Sequence, residues 1–273
     1  MPELPEVQTV VNTLSPRLAG GTFRRVAHVR PDIVRPSGFD LAAALTGRTV
    51  TSITRRGKRI VIALDDGNAL YFHLGMTGRM TIERPDAPIE PHTHFIADLG
   101  PKPAQLRFRD PRRFGGIFWL GRDPSADDRM GPEPLAMTVT QLAAKLSRTK
   151  RAVKNALMDQ RVVAGLGNIY VDESLFAAGI HPLKRADRLK ADDLVRLTRA
   201  IKVTLKRAIR HRGSTLRDYV DADGERGGFQ SLHRVYARAG QPCAACGTPI
   251  RRIVLGGRST HWCPACQRRG GAR

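Results

Sequence analysis

The chain has 273 residues, enough for two domains that each bury a core. Its 46 Lys and Arg against 25 Asp and Glu give a formal net charge of +21, which calls for a polyanionic partner, nucleic acid first and an anionic membrane surface second. No run of about 18 apolar residues exists and the start lacks a basic-then-apolar signal, so a bilayer span is excluded and the cytosol is the default compartment.

The first residues read Met1-Pro2-Glu3-Leu4-Pro5-Glu6. Removal of Met1 would make Pro2 a secondary amine with Glu3 beside it. An α-amino group titrates near pH 8, so roughly a tenth of it is neutral and nucleophilic at pH 7. Attack by a secondary amine on a sugar or carbonyl carbon gives an iminium ion, which stays charged and acts as an electron sink. Glu3 is placed to move the protons of that chemistry. The plain alternative is a helix start, with Pro5 in the first turn and Glu6 favourable there. Val7, Val10, Val11, Leu14 and Leu18 then recur at helical spacing, and Gly20-Gly21 supplies a stop.

From about Thr22 to Gly121 the pattern is β. Val50, Ile53, Ile60, Ile62 and Leu64 are strand-like, and Asp65-Asp66-Gly67 is a turn leading into Leu70-Tyr71-Phe72. Met80–Ile82, His94–Asp98, Leu106–Arg109 and Ile117–Leu120 are further strand candidates. Short strands joined by Gly, Pro and Asp turns predict a sandwich or partly open barrel with a mainly aliphatic core. Lys58 lies in the basic run Arg55-Arg56-Gly57-Lys58-Arg59, which a solvated strand edge would also explain. Two loops, His73–Gly78 and Asp110–Gly116, carry Met76, Arg112 and Phe114. Such side chains suit a wedge that fills the gap left by an extruded nucleotide, although ordinary core and surface roles fit each one alone.

Arg129–Pro134 reads as a linker, and helices follow. A short helix covers Gln141–Leu146 with Thr140 as its cap, and a second covers Ala152–Met158 and carries Lys154. Gly165-Leu166-Gly167 followed by Asn168 predicts an N-cap opening a helix to Ala178, and such a start suits a phosphate. A long helix from about Ala191 to Arg212 has Leu194, Leu197, Ile201, Leu205 and Ile209 on one face and many Lys and Arg on the other. Leu216–Gly228 reads as a flexible polar loop, either a lid or a disordered connection. The four cysteines follow as Cys243-x2-Cys246-x16-Cys263-x2-Cys266. In a reducing compartment this spacing predicts one structural zinc with four thiolates, in a ribbon too small to fold without it. Arg258, after Gly256-Gly257, falls on the hairpin tip, where a DNA contact and a solvated charge are both open.

The Pro2–Glu6 start, the Asp110-Pro111-Arg112-Arg113-Phe114-Gly115 loop, the Gly165-Leu166-Gly167-Asn168-Ile169-Tyr170 turn and the cysteine ribbon occur together and in order. Over essentially its whole length the chain therefore resembles the bacterial formamidopyrimidine-DNA glycosylase (8-oxoguanine DNA glycosylase) family. That resemblance implies an α+β fold: an N-terminal β-sandwich with an N-terminal helix over residues 2–130, a helix-two-turn-helix domain over 131–235 and a four-cysteine zinc finger over 236–273. It implies Pro2 as the nucleophile at C1′, Glu3 as its acid/base partner and Glu6 in the same pocket. Lys58 matches the β-elimination lysine and Arg258 the δ-elimination arginine. Met76, Arg112 and Phe114 match the void-filling residues, with Arg112 facing the orphaned cytosine. His92, Lys154 and Asn168 match DNA-backbone contacts. The implied partner is duplex DNA with a damaged base, bound by a monomer in the bacterial cytosol, with no membrane and no redox or nucleotide cofactor. Three rivals are an endonuclease VIII-type enzyme for oxidised pyrimidines, a catalytically inactive DNA-binding homologue and an RNA-associated zinc protein. Leu4 and the Arg112–Phe114 arrangement resemble the purine-specific branch.

Overall fold

The computed structural model describes residues 2–123, 125 and 129–269. The periodic apolar run after Pro2 forms α1 (Leu4–Leu18), in which Val7, Val10, Val11, Leu14 and Leu18 are all buried. Then come β1 (Thr22–Val29), β2 (Val34–Arg35), α2 (Leu41–Leu45), β3 (Val50–Arg56), β4 (Arg59–Leu64), β5 (Ala69–His73), β6 (Arg79–Glu83), β7 (Thr93–Gly100), β8 (Ala104–Arg109) and β9 (Gly116–Gly121). The strands make two sheets, ordered β1-β7-β8-β6 and β2-β9-β5-β4-β3, antiparallel except for the β2–β9 pair. The sheets form a sandwich: Phe72 of one meets Phe95 and Phe108 of the other edge-on, with ring centroids 5.6 and 5.7 Å apart. α1 packs against β3, β4 and β6, so it touches both sheets.

The β reading of this half needs one correction. α2 is a helix, capped by Asp40, whose Oδ1 accepts from the Ala43 N–H at 2.9 Å. Its buried Leu41 and Leu45 join the sandwich core.

The second half contains α3 (Val139–Leu146), α4 (Val153–Met158), α5 (Asn168–Ala178), α6 (Ala191–Arg210), and the hairpin β10 (Arg251–Leu255) and β11 (Arg258–Trp262). Two caps differ from expectation. α3 already begins at Val139, because Thr138 and Gln141 form a reciprocal capping box and Thr140 lies inside the helix. α5 is capped by Gly167, and Asn168 is its first helical residue. α5 is buried nearly all round, which suits a helix packed on by α4, α6 and β11.

Two compact units result. One holds the chain up to residue 128 together with residues 211–228; the other holds 129–210 and everything after Gly228. Among the described residues no helix is long and apolar enough to cross a membrane.

The segment expected to be a flexible loop is instead pinned. Asp221 is fully buried, and its Oδ1 accepts from the Asp223 and Glu225 N–H groups at 3.0 and 3.1 Å. Its Oδ2 accepts from Arg212 Nε at 2.9 Å; the long helix ends at Arg210, and Arg212 takes a positive φ of 60°. Tyr219 and Ala222 are buried in the sandwich core. Asp221→Ala strips these donors of their shared acceptor, so a loss of about 2–4 kcal/mol is expected. Urea unfolding checks it, and limited trypsin digestion should now cut at Arg217 or Arg226.

Candidate active site

In the N-terminal unit the site starts at the chain terminus. Pro2 and Glu3 are buried, and Glu3 caps α1 through a reciprocal box with Glu6. Glu6 Oε2 accepts from the Glu3 N–H at 2.8 Å, and Glu6 Oε1 accepts from the Ser214 N–H at 2.7 Å. Tyr219 Oη donates to the Glu6 carbonyl at 3.2 Å. Burial, then the Glu6 charge, holds the Tyr219 phenol well above its usual range, so it stays a donor. Gly213 has φ +77°, and a Cβ there would meet Glu6 Oε1 at 2.6 Å, so only glycine lets the two segments approach. Pro2 is an amide while Met1, which lies outside the described residues, is attached; the amine exists only after processing.

Lys58 is at the second position of the two-residue turn between β3 and β4, where Arg56 pairs with Arg59 and Gly57 takes φ +58°. A lysine in a hairpin turn is normally solvated, yet Lys58 is only 9% exposed. Arg55 ties this turn to α1: its Nε donates to Gln8 Oε1 and its Nη1 to the Gly57 carbonyl, both at 2.9 Å. The turn that carries Lys58 is thus fastened to the helix that begins just after Glu3. Burial, with the Lys58 and Arg59 charges behind it, depresses the His73 pKa. His73 Nδ1 accepts from the Gly75 N–H at 3.1 Å, which fits a neutral ring with its proton on Nε2.

The loops that carry Met76, Arg112 and Phe114 are brought together by Asp110, which the motif alone does not single out. Its fully buried carboxylate accepts from Thr77 Oγ1, from the Arg112 N–H at 3.3 Å and from the Gly115 N–H at 2.7 Å. The Asp110 N–H donates to the His92 carbonyl at 3.0 Å, and His92 takes φ +69°. A Cβ on Gly75 would lie 2.4 Å from Gly115 N, so the two loops touch backbone to backbone. Met76 and Phe114 stand out from this base at 38% and 55% exposure, and the Arg112 guanidinium lies 4.6 Å from the Phe114 ring centroid. Exposure of large apolar groups on a rigid base is what an inserting wedge needs.

The C-terminal unit holds the rest. The family resemblance implies a DNA-backbone contact for Lys154, but this side chain has no exposed surface. Its Nζ lies 2.7 Å from Asp172 Oδ1 and donates to the Ser259 carbonyl at 2.7 Å. Asp172 Oδ2 accepts from the His261 N–H at 2.9 Å. Asn168 Nδ2 donates to Ser259 Oγ at 3.2 Å. Lys154 therefore holds the ribbon strand β11 against the start of α5, next to Asn168. Arg258 is exposed directly after the turn Gly256-Gly257, whose positive φ values of 57° and 73° make a tight hairpin. Glu173 fixes the chain entering the ribbon by accepting from the N–H groups of Arg234, Val235 and Tyr236.

The four cysteine sulfurs lie within 4.8 Å of one another, with Cys246 at 3.4 Å from Cys263 and 3.5 Å from Cys266, and Cys243 at 4.0 Å from Cys266. Four thiolates at about 2.3 Å from a tetrahedral zinc sit about 3.8 Å apart. The set fits one structural zinc with all positions filled by protein.

An α+β sandwich, a helical unit and a four-cysteine ribbon, with a buried N-terminal Pro-Glu, define a zinc-ribbon protein built around its own terminus. Residues 1–117 match the formamidopyrimidine-DNA glycosylase N-terminal domain, 130–220 its H2TH domain, and 240–269 the zinc finger found in FPG and IleRS. The chain is 45% identical to the formamidopyrimidine-DNA glycosylase of Geobacillus kaustophilus and 44% identical to that of Herpetosiphon aurantiacus, covering 98% of this chain and 100% of each relative. Among solved structures it is similar to a Lactococcus lactis FPG mutant in complex with a Fapy-dG containing DNA (TM-score 0.91, 36% identity, 98% of this chain and 100% of that one). It is also similar to the FPG protein of Thermus thermophilus (TM-score 0.87, 41% identity, 99% and 100%). The chain belongs to the formamidopyrimidine-DNA glycosylase family.

Two outcomes check the geometry of this unit. Lys154→Met strips the buried Asp172 of its lysine and leaves it only the His261 contact, so about 3–5 kcal/mol should be lost, and adding Asp172→Asn should return much of it; calorimetry of the four chains measures the coupling. Cys246→Ser should lower the zinc content from one ion per chain and weaken DNA binding, read by elemental analysis and a binding titration.

Proposed function

We infer that the chain is a bifunctional DNA glycosylase and abasic-site lyase of base excision repair that removes oxidised purines from duplex DNA. The observation that carries this reading is the buried Pro2-Glu3 start, locked onto Ser214 through Glu6. Binding alone needs neither a fixed terminal amine nor a carboxyl group beside it. A binding-only homologue and an RNA-associated zinc protein both leave that arrangement unexplained.

The chemistry follows from the residues. With Met1 removed, the Pro2 nitrogen attacks C1′ of the damaged nucleotide, the glycosidic bond breaks and the departing base takes a proton; the amine then gives up its own proton, the C1′–O4′ bond opens with O4′ protonated, and an iminium between Pro2 and C1′ is left. Glu3, next to Pro2 in the chain, is the proposed carrier of protons between the sugar and its surroundings. The iminium acidifies the hydrogen on C2′, whose loss expels the 3′ phosphate, and a second elimination expels the 5′ phosphate. Lys58, nearly buried in a turn tied to α1, is the proposed acid of the first elimination, and Arg258 that of the second. A base inside a duplex is out of reach, so it must be extruded at a cost of a few kcal/mol. Met76, Arg112 and Phe114 are the proposed wedge that offsets that cost, with Arg112 facing the orphaned base. His92 and Asn168 are the proposed phosphate contacts, and Lys154 supports Asn168 from beneath. Zinc holds the ribbon and takes no part in the chemistry. The full set of residues lies on one chain, so the proposed working unit is a monomer, acting on DNA in the bacterial cytosol.

Borohydride reduction on a duplex with one 8-oxoguanine opposite cytosine tests the reading, with Met1 removal checked by mass spectrometry. A covalent adduct mapped to Pro2 is expected. An adduct only with oxidised-pyrimidine duplexes would favour the endonuclease VIII-type reading, and none with either would leave the binding-only one. In the same assay Glu3→Gln should lose release of 8-oxoguanine by about 100-fold or more while still cleaving a pre-formed abasic site. Wild-type-like base release by that variant would remove Glu3 from the mechanism.

A further inference from the structure

The inner face of α6 is occupied: Leu197, Ile201, Leu205 and Ala208 are buried, and the helix packs on α5 and α3. The other face carries Arg199, Lys202, Lys206, Arg207 and Arg210, and the helix has no acidic residue after Asp193. Arg199, Lys206, Arg207, Arg210 and Val203 are exposed, the valine at 58%, while Lys202 is partly so. Among the described residues none of the five cations has a hydrogen-bond or ion-pair partner. Several exposed arginines elsewhere are paired locally, Arg30 with Asp32, Arg84 with Asp86, Arg161 with Asp159 and Arg185 with Asp187, whereas α6 gathers five unpaired cations on one helix face. The nearest acid along the helix, Asp193, is already held by Lys184 and Arg196.

Arg199/Lys202, Lys202/Lys206, Lys206/Arg210 and Arg207/Arg210 are neighbours three or four residues apart. Like charges at these spacings weaken a helix. Only the last turn gains from the helix dipole. The repulsion is relieved when an anion of matching density lies along the helix. From Arg199 to Arg210 the helix runs about 16 Å, and duplex DNA presents one phosphate charge per about 1.7 Å of its axis. The inner face of α6 packs on α5 and α3, whereas β11, the strand that the Arg258 turn leads into, packs on α5.

We propose that the outer face of α6 binds the phosphate backbone of a second segment of duplex DNA, separate from the segment that carries the lesion. Held there, the second segment is engaged before the first is released, and the enzyme passes between segments without entering free solution. The choice of duplex DNA as the polyanion rests on the glycosylase reading.

The test follows dissociation of the zinc-loaded full chain from a short duplex with a non-cleavable abasic analogue, as undamaged duplex is added. The variant carries Arg199→Gln, Lys202→Gln, Lys206→Gln, Arg207→Gln and Arg210→Gln; glutamine keeps helix propensity, and a thermal melt confirms folding. For the native chain the dissociation rate should rise with competitor concentration. For the variant it should be flat, with affinity for the short duplex and base excision unchanged within about twofold. The salt dependence of the competitor effect should have a log–log slope of about −4, as for roughly four or five neutralised phosphates. A flat rate for the native chain, or an equal rise for both, overturns the proposal. So does a loss of about tenfold or more in the variant's affinity for the short duplex, which would place this face on the lesion segment. If the native chain ignores the abasic analogue, the glycosylase reading fails instead, and direct titration of both chains with undamaged duplex still decides whether α6 holds DNA.

Discussion

A chain terminus is ordinarily the loosest part of a protein, so the buried Pro2-Glu3 start has to be held by something other than its own backbone. Here two carboxylates do it. Glu3 and Glu6 close a capping box at the start of α1, and Glu6 carries the hold across to Ser214, more than two hundred residues away in sequence. Both sit where the partial positive charge of a helix start favours an anion. Burying two acids side by side is costly in isolation, and it persists because both carboxylates accept from backbone N–H groups. The rest of the N-terminal unit is a support for this arrangement. α1 is seated on both sheets, Arg55 ties the Lys58 turn to it, and Asp221 folds the returning segment so that Tyr219 reaches the Glu6 carbonyl.

The same device recurs wherever a functional loop has to be rigid. In a chain with 25 acids against 46 cations, several acids are withdrawn from the surface entirely. Asp110 gathers the two wedge loops, Asp172 joins Lys154 to the ribbon, Glu173 caps three successive backbone N–H groups, and Asp221 shapes its own loop. Each organises backbone donors that would otherwise be unsatisfied inside a loop. Burial raises the pKa of Glu173, and the N–H groups of Tyr236, Val235 and Arg234 pull against that shift. One consequence is an exposed surface richer in positive charge than the net of +21 alone conveys, because part of the balancing negative charge is indoors.

Much of this is legible in the sequence, for reasons that are local. The helical period after Leu4, the turn-punctuated strands and the paired cysteines each encode a local rule, and the structure follows all three. The departures lie where the local signal is short or where a tertiary contact overrides it. α2 is hidden because five residues carry too little periodicity to separate from strands. Thr140 looks like a cap only until the Thr138–Gln141 spacing of a capping box is read. The Leu216–Gly228 segment looks flexible because its polar composition hides a single buried acceptor. Lys154 is the sharpest case: the family resemblance implies a DNA-backbone contact, while the structure buries the side chain against Asp172. A usable signal exists, since Asp172 and Glu173 sit inside an apolar helix, where an acid without a buried partner would not be tolerated.

The Lys154 cluster also explains how a metal with no chemical role can matter to a reaction. Zinc fixes the cysteine pairs, and between them runs the hairpin whose second strand presents Ser259 to Lys154 and Asn168. Gln267, fully buried just past Cys266, accepts from the Cys263 N–H and donates to the Ile180 carbonyl beyond the end of α5. The ribbon is thus fastened to α5 at both of its ends, through Asn168 and Asp172 at one and Ile180 at the other. Without the metal the ribbon has too small a core to persist, and its collapse would withdraw Ser259 and His261 from the buried Lys154–Asp172 pair. An ion pair with no exposed surface tolerates loss of its surroundings poorly, because water then competes for both charges. The start of α5, where Asn168 sits, therefore depends on a zinc ion it never touches.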